Sequence, residues 1–266
     1  VSFIEDAIQK IEYKGYNIEI YIDECAENPR KAFDNIGKMI CWHRRYDLGD
    51  EHSYKEPKEF FQTLATETDD TVNGRIDYWE NGKGWARLAK EYKDKPWEAS
   101  DKKVNKIIMN AAYKNYILLP LYLYDHSILI LRAGENGNPF LGRAQHAEWD
   151  SGQVGWTYMS NKDAMRNWSK KRFGKALKKK AIELLKGEAE VYGQYLSGEV
   201  YGFRIVDEDK EEVDSCWGWY GDPDNYLVPE AKSVIDHEIE RRLKQKEQAE
   251  KEAAEHEELC WLITAA

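Results

Sequence analysis

Cysteine is scarce in this 266-residue chain: four residues, at 25, 41, 216 and 260, none in a CxxC pair. That spacing excludes a disulfide lattice, and it suits a reducing compartment. No apolar run reaches the roughly 18 residues a membrane-spanning helix needs. The first residues, Val1-Ser2-Phe3-Ile4-Glu5-Asp6, hold neither the basic nor the apolar region of an export signal. The expectation is a soluble cytoplasmic protein with no membrane partner. Positive charge is in deficit as well, with 39 Lys and Arg against 49 Asp and Glu, a net charge of −10. Such a surface meets basic protein more readily than nucleic acid over most of its area.

Two catalytic signatures are missing. The Gly-rich stretch Asp150-Ser151-Gly152-Gln153-Val154-Gly155-Trp156 precedes a strand and carries no Lys-Ser/Thr pair, whereas a phosphate-cradling loop runs from strand to helix. Ser151 is in no GxSxG elbow. The glycines are read instead as permitting a tight turn and close strand contact. Aromatics, by contrast, are plentiful: 10 Trp, 17 Tyr and 7 Phe, within 42% apolar content, supply a core and exclude global disorder.

Strict alternation marks half-buried strands, since successive side chains point to opposite faces. Tyr16 to Ile22 places three isoleucines on one face, and Lys38 to Arg44 alternates in the same way, so the two read as a pair across a long connection. Leu119 to Asp125 followed by Gly152 to Met159 forms a second pair, and Val200 to Val206 followed by Glu212 to Tyr220 a third. Asp23, Asp125 and Asp207 close the first strand of each pair and are read as turn formers. Helices are predicted from Pro57, over Asp77 to Lys93, over Lys102 to Tyr116, within Asn161 to Leu196, and from Pro229 to Glu258. The last begins amphipathic through Val234, Ile235, Ile239 and Leu243 and then turns almost wholly charged, with nine acids and five bases from Asp236 to Glu258. It reads as a helix that leaves the core for solvent, or as a short coil through which two copies associate. Cys260-Trp261-Leu262-Ile263 is apolar again and is expected to fold back or to meet another subunit.

This order of elements predicts an α+β fold. Three strand pairs form one mostly antiparallel sheet, helices pack on one face, and a long charged helix closes the chain. With no Pro, Gly or Ser-rich linker, residues 1–228 are expected to form a single domain, with 229–266 as the charged helix and tail.

Three constellations could carry function. Cys41 to His52 gathers two His, two Arg and several acids; with Asp125-His126 it offers His43, Asp50, His52, Asp125 and His126 as ligands for a divalent metal, the centre of a hydrolase acting on nucleic acid or a nucleotide. No other cofactor is indicated. Asp214 to Asp222 sets Trp217, Trp219 and Tyr220 among acids, namely Glu208, Asp209, Glu211, Glu212, Asp214, Asp222 and Asp224. Acids repel a phosphate backbone, so this reads as core packing or a protein-binding edge. One block opposes the overall charge: nine bases, including Lys170, Lys171, Arg172, Lys175, Lys178 and Lys179, against one acid between Lys162 and Lys180. It suits a nucleic-acid backbone, or the acidic surface of a protein.

Several blocks in order also carry a likeness. Asn28-Pro29-Arg30, Asp34-Asn35-Ile36-Gly37, Trp42-His43-Arg44-Arg45-Tyr46-Asp47-Leu48-Gly49-Asp50, Leu119-Pro120-Leu121-Tyr122-Leu123-Tyr124-Asp125-His126-Ser127, Trp149 to Gly155 and Asp214-Ser215-Cys216-Trp217-Gly218 resemble a family of proteins of unassigned activity carried by bacteriophages, plasmids and integrated elements. The likeness spans roughly residues 16 to 235. Where that family runs through a Gly and Thr-rich loop, this chain reads Ile128-Leu129-Ile130-Leu131-Arg132-Ala133. The resemblance implies no catalytic residue. It implies a setting, the bacterial host cell, in which small acidic accessory proteins often inhibit defence nucleases. The expectation is an anti-defence protein that binds a CRISPR effector or a restriction nuclease through its acidic surface, acting by occupancy rather than as an enzyme.

Overall fold

A computed structural model describes residues 7–92 and 94–264, with side chains described as far as 256. The segment Cys260-Trp261-Leu262-Ile263 therefore lies outside the described side chains. The chain runs β1 (Gln9–Tyr13), β2 (Tyr16–Ile22), α1 (Pro29–Ala32), β3 (Lys38–Cys41), α2 (Pro57–Thr68), α3 (Thr71–Glu80), α4 (Lys83–Glu91) and α5 (Pro96–Asn115). It continues through β4 (Tyr116–His126), β5 (Ile128–Ala133), α6 (Ala147–Asp150), β6 (Ser151–Ser160), α7 (Asn161–Asn167), α8 (Lys175–Ser197), β7 (Val200–Val206), β8 (Glu212–Tyr220) and α9 (Leu227–Thr264). The class is α+β, as the element order predicts.

Two antiparallel four-stranded sheets replace the single sheet expected, in the orders β1-β2-β7-β8 and β3-β6-β4-β5. The chain divides accordingly into two compact units, one of Val1–Glu27 with Gly198–Ala266 and one of Asn28–Ser197. A boundary at 228/229 falls inside the first of these.

In the first unit β2 pairs with β1 and β7, not with the strand after the long connection. A local reason is visible at Lys14-Gly15, whose φ angles of 51° and 84° close a two-residue hairpin of the kind that matches strand twist. Closing two residues costs less chain entropy than closing fifteen or so. The predicted alternation of β2 holds as far as Ile20: Ile18 and Ile20 are fully buried and pack with Phe203 and Ile205 against Leu227, Ala231 and Ile235 of α9, whereas Ile22 is exposed and Tyr21 is buried. That helix leaves the core after its third turn, and residues 241–256 are exposed throughout. Lys246–Glu250 and Lys251–Glu255, four residues apart, support the solvated part. Leu243 is its one large apolar side chain among the described residues 241–256, fewer than a coiled-coil seam requires.

In the second unit β3 pairs with β6, and β6 with β4, as expected for the latter two. The Ile128–Ala133 segment is a strand, β5, folded back on β4. Helices cover both faces rather than one. Along β4, Leu118 packs with Phe60, Phe61, Val104 and Ile108 of α2 and α5, while Ile117 and Leu119 pack with Leu177, Ala181 and Leu185 of α8. A strand buried on both sides reads as the continuous apolar run Ile117-Leu118-Leu119 seen here. Gly155 shows the close strand contact: a Cβ there would lie 2.0 Å from the Ile40 carbonyl oxygen.

Candidate functional site

Charge is distributed unequally between the units. The first holds 26 acids and 10 bases, net −16, and the second 23 acids and 29 bases, net +6. The deficit of positive charge thus belongs to one unit alone.

The acids singled out from the sequence lie on the β7–β8 turn, on β8 and on the segment after it. Asp207 is the turn former expected, its Oδ1 accepting from the amides of Asp209 and Glu211. Asp23 does likewise for Cys25, and Asp222 for Asp224. Glu208, Asp209, Glu211, Glu212, Asp214, Asp222 and Asp224 are all exposed. Of the seven, Glu212 alone pairs with a described base, Arg204 at 2.9 Å. β8 is an edge strand, and acids on an edge deter pairing with another sheet. Among them stand two exposed aromatics, Trp217 at 48% and Tyr226 at 73%. The Trp217 ring lies against Gly202, with Tyr21 6.1 Å away. Trp219, in contrast, packs on the core under this sheet.

In the second unit, the residues considered as metal ligands have other partners. Asp50 accepts two bonds from Arg30, at 2.9 and 2.8 Å, and one from the Met39 amide at 2.8 Å. His52 Nε2 stands 2.8 Å from the Cys41 carbonyl oxygen. Asp125 pairs with Arg45, and His126 Nδ1 lies 2.8 Å from Asp150. His43 stacks on Tyr46 at 5.0 Å. Among the described residues no group of three His, Cys, Asp or Glu side chains is arranged to hold a metal ion.

The same loop instead builds a buried ion cluster. Arg30, 3% exposed, bonds Asp50, the Gly37 carbonyl oxygen at 2.7 Å and Glu188 of α8 at 3.3 Å. Glu188 also accepts from the amides of Ile36 and Gly37. Burial alone would lower the Arg30 pKa, but the bonds and charges of Asp50 and Glu188 outweigh it and the net shift is upward. Thus the Asn-Pro-Arg, Asp-Asn-Ile-Gly and Leu-Gly-Asp blocks converge on one structural network. The sequence gives no hint of Glu188, 158 residues from Arg30. Nearby, burial, then the Asp50 charge, push the Cys41 thiol up to about 12, so it is no nucleophile at neutral pH.

The basic block spans α7, the loop 168–174 and the first two turns of α8. Lys170, Lys171, Arg172, Lys175, Lys178, Lys179 and Lys180 are exposed. Of these seven, only Lys179 pairs with a described acid, Glu183 at 3.8 Å, while Arg166 of α7 pairs with Asp163 at 3.2 Å. Four lysines in the first six residues of α8 also face the positive end of the helix dipole, where an acid would stabilise by about 0.3–1 kcal/mol.

Among the described residues no helix is long and apolar enough to cross a membrane. The chain matches no family model, no curated protein and no solved structure.

Proposed function

We propose that this chain is an accessory protein of a bacteriophage or mobile element that binds a bacterial defence protein, a CRISPR effector or restriction nuclease, and blocks it. The acidic first unit occupies the partner's basic nucleic-acid channel. The observation that carries this reading is the net −16 of that unit, with seven acids exposed on one turn, one edge strand and the segment that follows. Complementary potential speeds encounter and suppresses wrong partners. Trp217 and Tyr226 supply the exposed aromatic anchors from which interfaces draw much of their energy.

The test is plating of a restricted phage on a bacterium that carries several defence systems and expresses this protein. The wild type raises plating, and a chain with Glu208, Asp209, Glu211 and Glu212 all changed to Lys does not. No rise with the wild type, or an equal rise with the charge-reversed chain, overturns the proposal.

A second reading rests on the basic block: seven exposed cations, four of them placed against the dipole of α8, hold a nucleic-acid backbone. Binding of duplex DNA would then fall steeply with salt and vanish when Lys170, Lys171, Arg172 and Lys175 become Ala. A shallow salt slope refutes it.

A further inference from the structure

The second unit contains a cleft that neither reading uses as a site, although one residue of the basic block, Lys162, stands at its rim. On one face of its sheet the register sets Lys38 and Leu118 opposite Tyr158, and Tyr116 opposite Ser160. Farther along that face Ile40 and Leu118 are covered by α2 and α5. Where the face ends, a cavity of about 630 Å³ opens between the sheet, α2 and the start of α7, a volume usual for small-molecule sites.

Three tyrosines wall it. Tyr158 is 8% exposed, with its ring fixed by Phe60 at 5.0 Å. Tyr54 is held by Phe60 at 5.4 Å and His52 at 5.8 Å. Tyr116 donates to Glu67 at 2.8 Å, and that carboxylate lines the cleft together with Asp163, which accepts from Ser160 at 2.6 Å. The hydroxyls of Tyr54, which is half-buried, and of Tyr158 bond no described residue and stand open to the cleft. Burial raises the pKa of both, so both are protonated donors at neutral pH. At the rim stand Lys38 and Lys162, exposed and in ion pairs with no described residue.

Two donors open to the cleft suit a ligand with acceptors, the tyrosine rings suit a planar one, and the ammonium groups of Lys38 and Lys162 suit an anion. We propose that this cleft binds a nucleoside monophosphate, its base against the tyrosine rings with acceptors on the Tyr54 and Tyr158 hydroxyls, and its phosphate at Lys38 and Lys162. The site is independent of the acidic surface and stands or falls separately from it.

Calorimetric titration of the full chain with AMP, GMP, CMP and UMP, each beside its nucleoside and beside inorganic phosphate, tests this. At least one nucleotide binds saturably at one per chain and more tightly than phosphate. Tyr158→Phe weakens it about tenfold, the loss of one hydrogen bond, and leaves the melting temperature unchanged because no protein partner is lost. Changing Lys38 and Lys162 to Ala weakens the nucleotide about tenfold and leaves the nucleoside unaffected. Binding by no nucleotide, equal binding of phosphate alone, unchanged affinity in Tyr158→Phe, or a lowered melting temperature in that variant overturns the proposal.

Discussion

Replacing Asp50 by Ala removes one of two carboxylates from a guanidinium that is 3% exposed. Losing one partner of a buried pair costs about 3–5 kcal/mol, because the other charge is left uncompensated. Two features set the expected loss near the lower end, at about 3 kcal/mol: Glu188 still faces Arg30 at 3.3 Å, and the Asp50 side chain is 25% exposed. The Met39 amide loses its acceptor too, so the loss does not fall far below that. Urea unfolding followed by tryptophan fluorescence measures it, with the midpoint shifting and the slope unchanged. A companion chain with Arg30→Met and Asp50→Leu removes the charge together with its partner and loses less than Asp50→Ala alone. A loss below about 1 kcal/mol for Asp50→Ala, a value typical of an exposed pair, would show that this cluster does not tie α1, the Gly37 turn and α8 together.

Further outcomes follow from the same contacts. Lys175→Glu places an acid at the positive end of α8 and raises stability by about 0.3–1 kcal/mol in thermal melts; a decrease contradicts the dipole argument. Gly155→Ala drives a methyl onto the Ile40 carbonyl oxygen and costs about 1–3 kcal/mol as an overpacked site, so an unchanged melting temperature would mean that β3 and β6 part freely. Iodoacetamide at pH 8 labels the exposed Cys25 and Cys216, while Cys41, with its thiol pushed up to about 12, stays unlabelled until the chain unfolds. Peptide mass spectrometry reads this directly, and early labelling of Cys41 refutes its burial. Bonds from Arg241 and then Arg242 lower Glu238 from 4.5 to about 2. Its contribution to α9 is therefore present above pH 4.5 and is lost as pH falls toward 2, a change that Glu238→Gln abolishes in far-UV circular dichroism.

Local patterns made much of the fold legible. Ile18 and Ile20 of β2, the β7–β8 hairpin and the apolar start of α9 each announce themselves within a few residues, because period and burial coincide there. Which strands share a sheet did not show. β2 finds β7 some 180 residues later, and long-range pairing leaves no mark on either segment alone. β1 is five residues with a polar outer face, too short to stand out beside its neighbour. β5 was concealed by its context, since an apolar run between two turns reads equally as an apolar loop. For the functional surfaces, the acidic and basic blocks are contiguous in sequence and were legible as charge runs. The partition of charge between two units was not, because the first unit is assembled from both ends of the chain. The tyrosine-walled cleft draws Tyr54, Tyr116 and Tyr158 from three distant segments, and no spacing connects them.

The central claim is that the acidic unit engages a basic, nucleic-acid-binding defence protein. Its most direct test is affinity capture of the tagged full chain, beside the chain with Glu208, Asp209, Glu211 and Glu212 changed to Lys, from lysate of a bacterium carrying several defence systems. The account predicts a defence nuclease in stoichiometric amount with the wild type, released by salt and missing with the charge-reversed chain. Capture of no such protein, or of the same protein by both chains, would contradict it.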